Sequence, residues 1–523
     1  MHWNFISLRS ASKVLLFPRV QCAKIFPKRA YCENNGGQKF RSWKWNSLVY
    51  ISAPLVLCGC VGAFAWLRKD TVLGQGDQVN VSRKRRTLEN AIQESRDIIQ
   101  RVKDEVGAPG IVVGVCVDGE HVWKEGSGYS DVENRVHCNS ETVMRIASIS
   151  KVITMTIVAK LMENNQLDID KPVQEYVKEF PEKTFEGEKV TITTRHLLSH
   201  VSGIRHYETT EEIQKKKQEK EREKKEGKKL VKNENELKIK EYNLKEKYAS
   251  VKDALMIFKD DELIHKPGTE FLYSTHAWTL VSAVLEGATK KEFPDMLRSL
   301  FKELGMTRTY LDENEPLIYG RSRFYERNNK GKIMNTPYVD NSYKWAGGGL
   351  LSTVGDLLKF GNVILYSYQW HPNNFSSELS TGIHMSNKSE ELVVNHEKDI
   401  IKAKGLPGYL SRQTIVKIWD VNEKAKCSWD KNGHFALGWA VVPEKKTNGC
   451  CQEQRFYISH TGGAVGASSA LVILPREGEG SQTVPPSGVV VGIITNLSSV
   501  GLAKVAMEIA ALFEDVPMPI QGK

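Results

Sequence analysis

The chain has 523 residues, 26% of them charged and 40% apolar, which is more than one ordinary domain and too apolar for a disordered tail. Of the formal net charge of +10, residues 1–46 contribute +8 (nine Lys/Arg against Glu33) and residues 211–250 contribute +4 (fourteen Lys/Arg against ten Glu), so the remainder carries −2. A body this close to neutral lacks the basic stripe that nucleic acid requires, and nucleic acid is not expected as a partner.

The first 46 residues begin MHWNFISLRSASKVLLFPRVQCAKIFPKRAYC, rich in Arg, Lys and Ser and nearly free of acids. That is the composition of a mitochondrial transit peptide. The run Ser47–Leu67, SLVYISAPLVLCGCVGAFAWL, is uncharged and long enough to cross about 30 Å of hydrocarbon. Trp43, Trp45 and Trp66 suit its interfaces. The expectation is an anchor in the mitochondrial inner membrane, a polar linker over 68–86, and a body from 87 to 523 on the intermembrane-space side. Basic residues flank both ends of the run, so charge does not decide the side. The nine cysteines are odd in number and without repeated spacing, and they indicate neither a disulfide framework nor a zinc site.

Thr87–Val106 reads as an amphipathic helix with Leu88, Ile92, Ile98, Ile99 and Val102 on its apolar side. Gly110–Val117 and His121–Glu125 read as strands joined at Asp118-Gly119, a hairpin signal. A second β-rich group follows near the other end: Phe456–His460, Ala470–Leu474 and Gly488–Thr495, closed by a helix over Val500–Phe513. Strands at both ends with helices between them predict one sheet assembled from the N- and C-terminal parts. Two segments interrupt the body. Residues 211–248 are packed with Lys and Glu and predict a solvated insertion, or a partner surface if Leu237, Leu244 and Tyr248 share one helical edge. Residues 371–404 are polar and read as an exposed loop.

S-x-x-K occurs four times, at Ser10, Ser148, Ser299 and Ser428, and only Ser148–Lys151 opens a long apolar helical run. Residues three apart share a helix face, so the Lys151 amine reaches the Ser148 hydroxyl. Burial disfavours an ammonium and lowers its pKa. A neutral amine can then take the serine proton and make the hydroxyl a nucleophile, while the helix N-terminus offers N–H groups to an oxyanion. Two further stretches matter: Lys266-Pro-Gly-Thr-Glu-Phe-Leu-Tyr-Ser-Thr275, which carries Tyr273, and His460-Thr-Gly-Gly463 after a β-run. His196, His200 and His206 have no acidic or Cys partner at ligand spacing, so no metal site is expected.

Ser-x-x-Lys, then this tyrosine, then His-Thr-Gly, resembles the serine β-lactamase and penicillin-binding-protein superfamily, in its class C-like branch of β-lactamases, carboxypeptidases and esterases. The stretches His196–Tyr207, Pro337–Phe360 and Leu437–Trp439, together with the leader, are similar to the animal mitochondrial members. The resemblance implies an α/β (α+β) fold: a central antiparallel sheet flanked by helices plus a mainly helical subdomain, the nucleophile lying between them. It implies Ser148 as the acylated nucleophile, Lys151 as its base and Tyr273 as the proton carrier to the leaving group. It assigns the oxyanion hole to the N–H groups of Ser148 and Gly463, and the orientation of a substrate carboxylate or carbonyl to His460 and Thr461. No metal or cofactor is implied. It further implies a protease-like hydrolase acting on protein or peptide, an effect on mitochondrial lipid metabolism, and homo-oligomers or filaments. Thr275 stands where the family often has Asn, and His460 where many members have Lys; both point away from efficient β-lactam hydrolysis. The rival readings are a catalytically weak scaffold and a lipid esterase.

Overall fold

The computed structural model describes residues 86–208, 240–371, 408–445, 454–476 and 486–516. The expected transit peptide, membrane segment and all but the last residue of the linker lie outside the described residues, as do 211–239 of the charged insertion and 372–404 of the polar loop.

Helix α1 (Leu88–Val106) starts where Thr87 caps the Asn90 N–H and ends at Gly107, whose φ of 57° suits glycine. The hairpin of β1 (Gly110–Val117) and β2 (Glu120–Asp131) turns at Asp118 and Gly119, with φ of 50° and 83°. Two successive positive φ values are what a two-residue hairpin turn demands. β3 (Val136–His137), β4 (His434–Phe435), β5 (Ala440–Val442), β6 (Tyr457–Ala464), β7 (Ala467–Pro475) and β8 (Gly488–Thr495) complete an eight-stranded antiparallel sheet in the order β4-β5-β6-β7-β8-β1-β2-β3. The first and last long strands lie side by side, Ile111 opposite Thr495, as the two β-rich ends of the sequence predict.

Side chains alternate across the sheet. Ile111, Val113, Val115 and Val117 pack with Val472, Val491 and Ile493 against α1 and the C-terminal helix Ala503–Phe513. Val112, Cys116, Leu471, Ile473, Val490 and Ile494 face the other way, into the larger core. That core is built from α2 (Ile149–Glu163), α3 (Thr275–Thr289), α4 (Phe293–Glu303) and α5 (Val354–Gln369). With both faces covered, β1, β7 and β8 are buried at every position. The fold is therefore the expected α/β arrangement of an antiparallel sheet flanked by helices, with a helical region beside it.

The solvated reading of the charged insertion fails at its end. Lys240–Asn243 is a 3₁₀ turn, Tyr242 is buried, and no helical edge carries Leu244 and Tyr248. Glu241 accepts two hydrogen bonds from the buried Arg205 guanidinium, at 2.7 and 3.0 Å, and lies 2.8 Å from Nε2 of the buried His276. Arg205 also reaches Asp261 at 2.5 Å. A carboxylate with these partners is held below its usual pKa, against the opposing effect of burial. Removing one member of such a network leaves charge buried and unpaired. Glu241→Ala is expected to lower stability by about 3 kcal/mol, measured as the shift in urea midpoint. A shift below about 0.5 kcal/mol, the range of an ordinary surface substitution, would show that the network is not holding the segment.

Candidate active site

The chain reaches Ser148 through a backbone pinned on two sides. Ile146 donates its N–H to Leu350, and its carbonyl accepts from Ser469 Oγ at 2.8 Å. A Cβ on Gly462 would meet Ser469 Oγ at 2.2 Å and Ile146 O at 2.4 Å, so glycine is needed for β6 to pass this close. Ala147 is held at φ 49°, a conformation few non-glycine residues adopt. Ser148 follows as the N-cap of α2 without using its side chain as a cap, which leaves Oγ available.

Twelve of the fifteen residues of α2 are buried, Lys151 among them at 0% exposure. Lys151 Nζ donates to Ser148 Oγ at 3.1 Å and to the Gly347 carbonyl. It also lies 4.9 Å from the centroid of the Tyr273 ring. Burial, and then the charge of Lys344, push its pKa well below that of a free lysine. Tyr273 OH donates to the same Ser148 oxygen at 2.8 Å. An amine, a hydroxyl and a phenol drawn from positions 151, 148 and 273 thus meet at one oxygen.

Tyr273 is placed by His200, a residue that no spacing argument singled out for this purpose. His200 sits at φ 57°, fully buried, and its ring stacks on the tyrosine ring at 4.3 Å and 25°. Its carbonyl accepts from the Leu272 N–H and its Nδ1 accepts from the Ser274 N–H, so both neighbours of Tyr273 are tied to it. His206 meets the phenol edge-on at 5.8 Å. The Gly347–Gly349 run is backbone crowding at two of its three positions. A Cβ on Gly347 would lie 2.7 Å from Thr275 Cγ2 and one on Gly349 2.8 Å from the Asn341 carbonyl, whereas Gly348 has nothing nearer than 3.8 Å.

Of the other expected residues, His460 is buried at 1% exposure and its Nδ1–H donates to the Thr461 carbonyl at 2.6 Å. Burial, and then the nearby Lys151, push its pKa down to about 3, so the ring is neutral. Its Nε2 then carries a lone pair, which accepts a hydrogen bond and repels a carboxylate. Thr461 is half-buried and Gly463 is exposed, with open space where a Cβ would stand. β5 pairs with β6 only at Tyr457, Ile458 and Ser459. Among the described residues, that edge of β6 has no strand beside it from His460 onward.

The sequence model of the Beta-lactamase family matches residues 95–512. The chain belongs to the β-lactamase family. It is 49% identical over 468 residues to the human serine beta-lactamase-like protein LACTB, mitochondrial, covering 82% of this chain and 81% of that one. It is 48% identical to the mouse protein of the same name over 477 residues, with 82% and 81% covered. Among solved structures, the hydrolase EstCE1, described as having promiscuous acyltransferase activity, superposes with a TM-score of 0.58 at 17% identity over 82% of this chain and 99% of that one. An octameric penicillin-binding protein homologue from Pyrococcus abyssi gives 0.55 at 22% identity, over 81% and 78%. These two likenesses show the shared fold. With the family shown, the chain is a serine hydrolase of the β-lactamase and penicillin-binding-protein type.

Proposed function

We propose that this chain is a mitochondrial serine peptidase working through an acyl-serine intermediate at Ser148. The convergence of Lys151 Nζ and Tyr273 OH on Ser148 Oγ carries the reading. Neutral Lys151 takes the Ser148 proton as Oγ attacks the substrate carbonyl carbon. The carbonyl oxygen becomes an oxyanion held by the N–H groups of Ser148 and Gly463. When the intermediate collapses, the C–N bond breaks, Tyr273 gives its proton to the departing nitrogen, and the Lys151 ammonium replaces it. Water then attacks the acyl-serine by the same relay run backwards, which returns the proton to Ser148. The substrate backbone lies along the open edge of β6, oriented by the Thr461 hydroxyl, with His460 Nε2 accepting from it. No metal or cofactor enters these steps.

In the same proposal, residues 47–67 anchor the chain in the inner membrane with its body in the intermembrane space, where it self-assembles into filaments and affects lipid metabolism. The names of the human and mouse relatives support the mitochondrion. Protease protection in mitoplasts tests the side of the membrane, and electron microscopy of the purified chain tests assembly.

The chemical test is intact-mass detection of a fluorophosphonate adduct. Wild type is expected to gain one adduct, mapped to Ser148, and Ser148→Ala none. A folded wild-type chain that stays unlabelled, while the Ser148→Ala chain still assembles, would leave the scaffold reading standing. Matched ester and peptide libraries separate the remaining alternatives: turnover of esters alone ends the peptidase claim.

A further inference from the structure

Lys344 is a lysine that the steps above do not use. It is 4% exposed, and its Nζ lies 5.4, 5.0 and 4.9 Å from the ring centroids of Tyr207, Tyr242 and Tyr343. No hydrogen bond or ion pair reaches that nitrogen among the described residues. Asp312, the acid whose charge acts on Lys344, is already committed to Arg145 Nε at 2.7 Å and to Asn341 Nδ2 at 2.6 Å. Three ring faces attract an ammonium, but they do not accept its N–H donors as an oxygen would. Burial, and then the Arg145 charge, lower the Lys344 pKa to about 7 against the pull of Asp312. An amine in this balance gains its charge fully when an anion arrives beside it.

The position is tied to the reaction centre. Lys344 leads into the one-turn helix Trp345–Gly348, whose Gly347 carbonyl holds Lys151 and whose Gly348 approaches the Ala147 carbonyl carbon to within 3.8 Å of a built Cβ. The charge of Lys344 is felt at Lys151, whose pKa it helps to lower after burial. On the other flank Tyr207 packs against His206 at 4.0 Å, and His206 meets Tyr273. The remaining polar groups of the site offer no cation: the His460 and His200 rings are neutral, and Lys151 has to be neutral to act as a base.

We propose that Lys344 and the Tyr207–Tyr242–Tyr343 box form an anion subsite, and that the preferred substrates carry a carboxylate within reach of the bond being cut. This rests on the acyl-serine reading and adds a substrate class to it. The cationic recognition that many family members place at the position of His460 is supplied here by Lys344. An entering carboxylate takes up the N–H donors of Lys344, and the rings exclude water from the pair.

The test uses the full-length chain and two matched pairs of activated esters. One pair ends its acyl group in a carboxylate or in the isosteric carboxamide; the other carries that difference on the leaving group. A charge-assisted hydrogen bond of this kind corresponds to about tenfold or more, so wild type is expected to favour the carboxylate member of one pair by at least about tenfold in kcat/KM. Lys344→Met is expected to bring that ratio to within about twofold, and Lys344→Arg to keep most of it. A wild-type ratio near one in both pairs overturns the subsite, whatever the variants do. So does a ratio that survives in Lys344→Met. Equal turnover of both members leaves the hydrolase reading intact; no turnover together with no adduct on Ser148 overturns both.

Discussion

Replacing Lys151 with methionine is expected to slow acylation of Ser148 by about 10²- to 10⁴-fold, the usual contribution of a positioned general base. Of the two described groups in hydrogen-bond contact with Ser148 Oγ, the neutral amine is the stronger base, and the neutral phenol has a proton to give rather than one to take. The pH dependence has a defined sign. Lys151 acts when neutral, so acylation by wild type should climb with pH through the depressed Lys151 pKa and level off above it. The methionine variant should lose that limb. Stability should respond differently from activity. Methionine removes a buried amine, which is favourable, and abandons the Gly347 carbonyl, which costs about 1–3 kcal/mol, so the net change is expected to be small. Stopped-flow labelling with a fluorophosphonate across pH, beside urea unfolding, measures both. Equal labelling rates for the two proteins would remove Lys151 from the reaction.

Acidification is expected to destabilise the fold well above the pH at which its carboxylates alone would protonate. His200 and His460 are buried at 0% and 1% exposure, each with an Nε2 that has no partner among the described residues, and both pKa values are depressed, that of His460 to about 3. In the unfolded chain both titrate near 6.5. Between 6.5 and the folded pKa the unfolded state binds the extra protons, so stability is whole above 6.5 and declines as pH falls. His460 contributes at most about 1.4 kcal/mol per pH unit, or about 3 kcal/mol by pH 4, and His200 acts with the same sign. Urea midpoints measured from pH 7.5 to 4.5 should therefore fall more steeply for wild type than for His460→Gln. Parallel curves would mean that the ring is protonated within the fold. Because His200 supports Tyr273, the same descent should lower activity before the fold is lost.

Local patterns carried much of the architecture. Asp118-Gly119 marks a turn because two consecutive left-handed residues are rare outside such dipeptides, and the structure has both. α2 is readable because its apolar residues occupy every face, which only a buried helix permits. Tyr273 was reached through resemblance, because 125 residues separate it from Ser148 and no periodicity spans that gap. Lys344 and His200 are hidden for the same reason: each matters through rings from distant segments, Tyr207 and Tyr242 for the one and Tyr273 for the other. Composition averages over a segment, and this conceals Glu241. One glutamate that enters a buried network looks, in a run of Lys and Glu, like its solvated neighbours.

The pairing of β1 with β8 has a consequence for how the protein comes into being. Ile111 and Thr495 are neighbours in the sheet although 384 residues apart in the chain. Until the final strand has been synthesised, the first long strand has nothing on that side to pair with and presents a row of valines and an open edge. Contacts of such high order form slowly, and a nascent or partly translocated chain has to be kept from aggregating in the meantime. A frameshift or stop codon that removed only residues beyond 486 would spare Ser148, Lys151, Tyr273 and His460, yet it would take away the strand that joins β1 to β7. Late truncations should therefore act as folding lesions, seen as loss of soluble protein before any question of turnover arises.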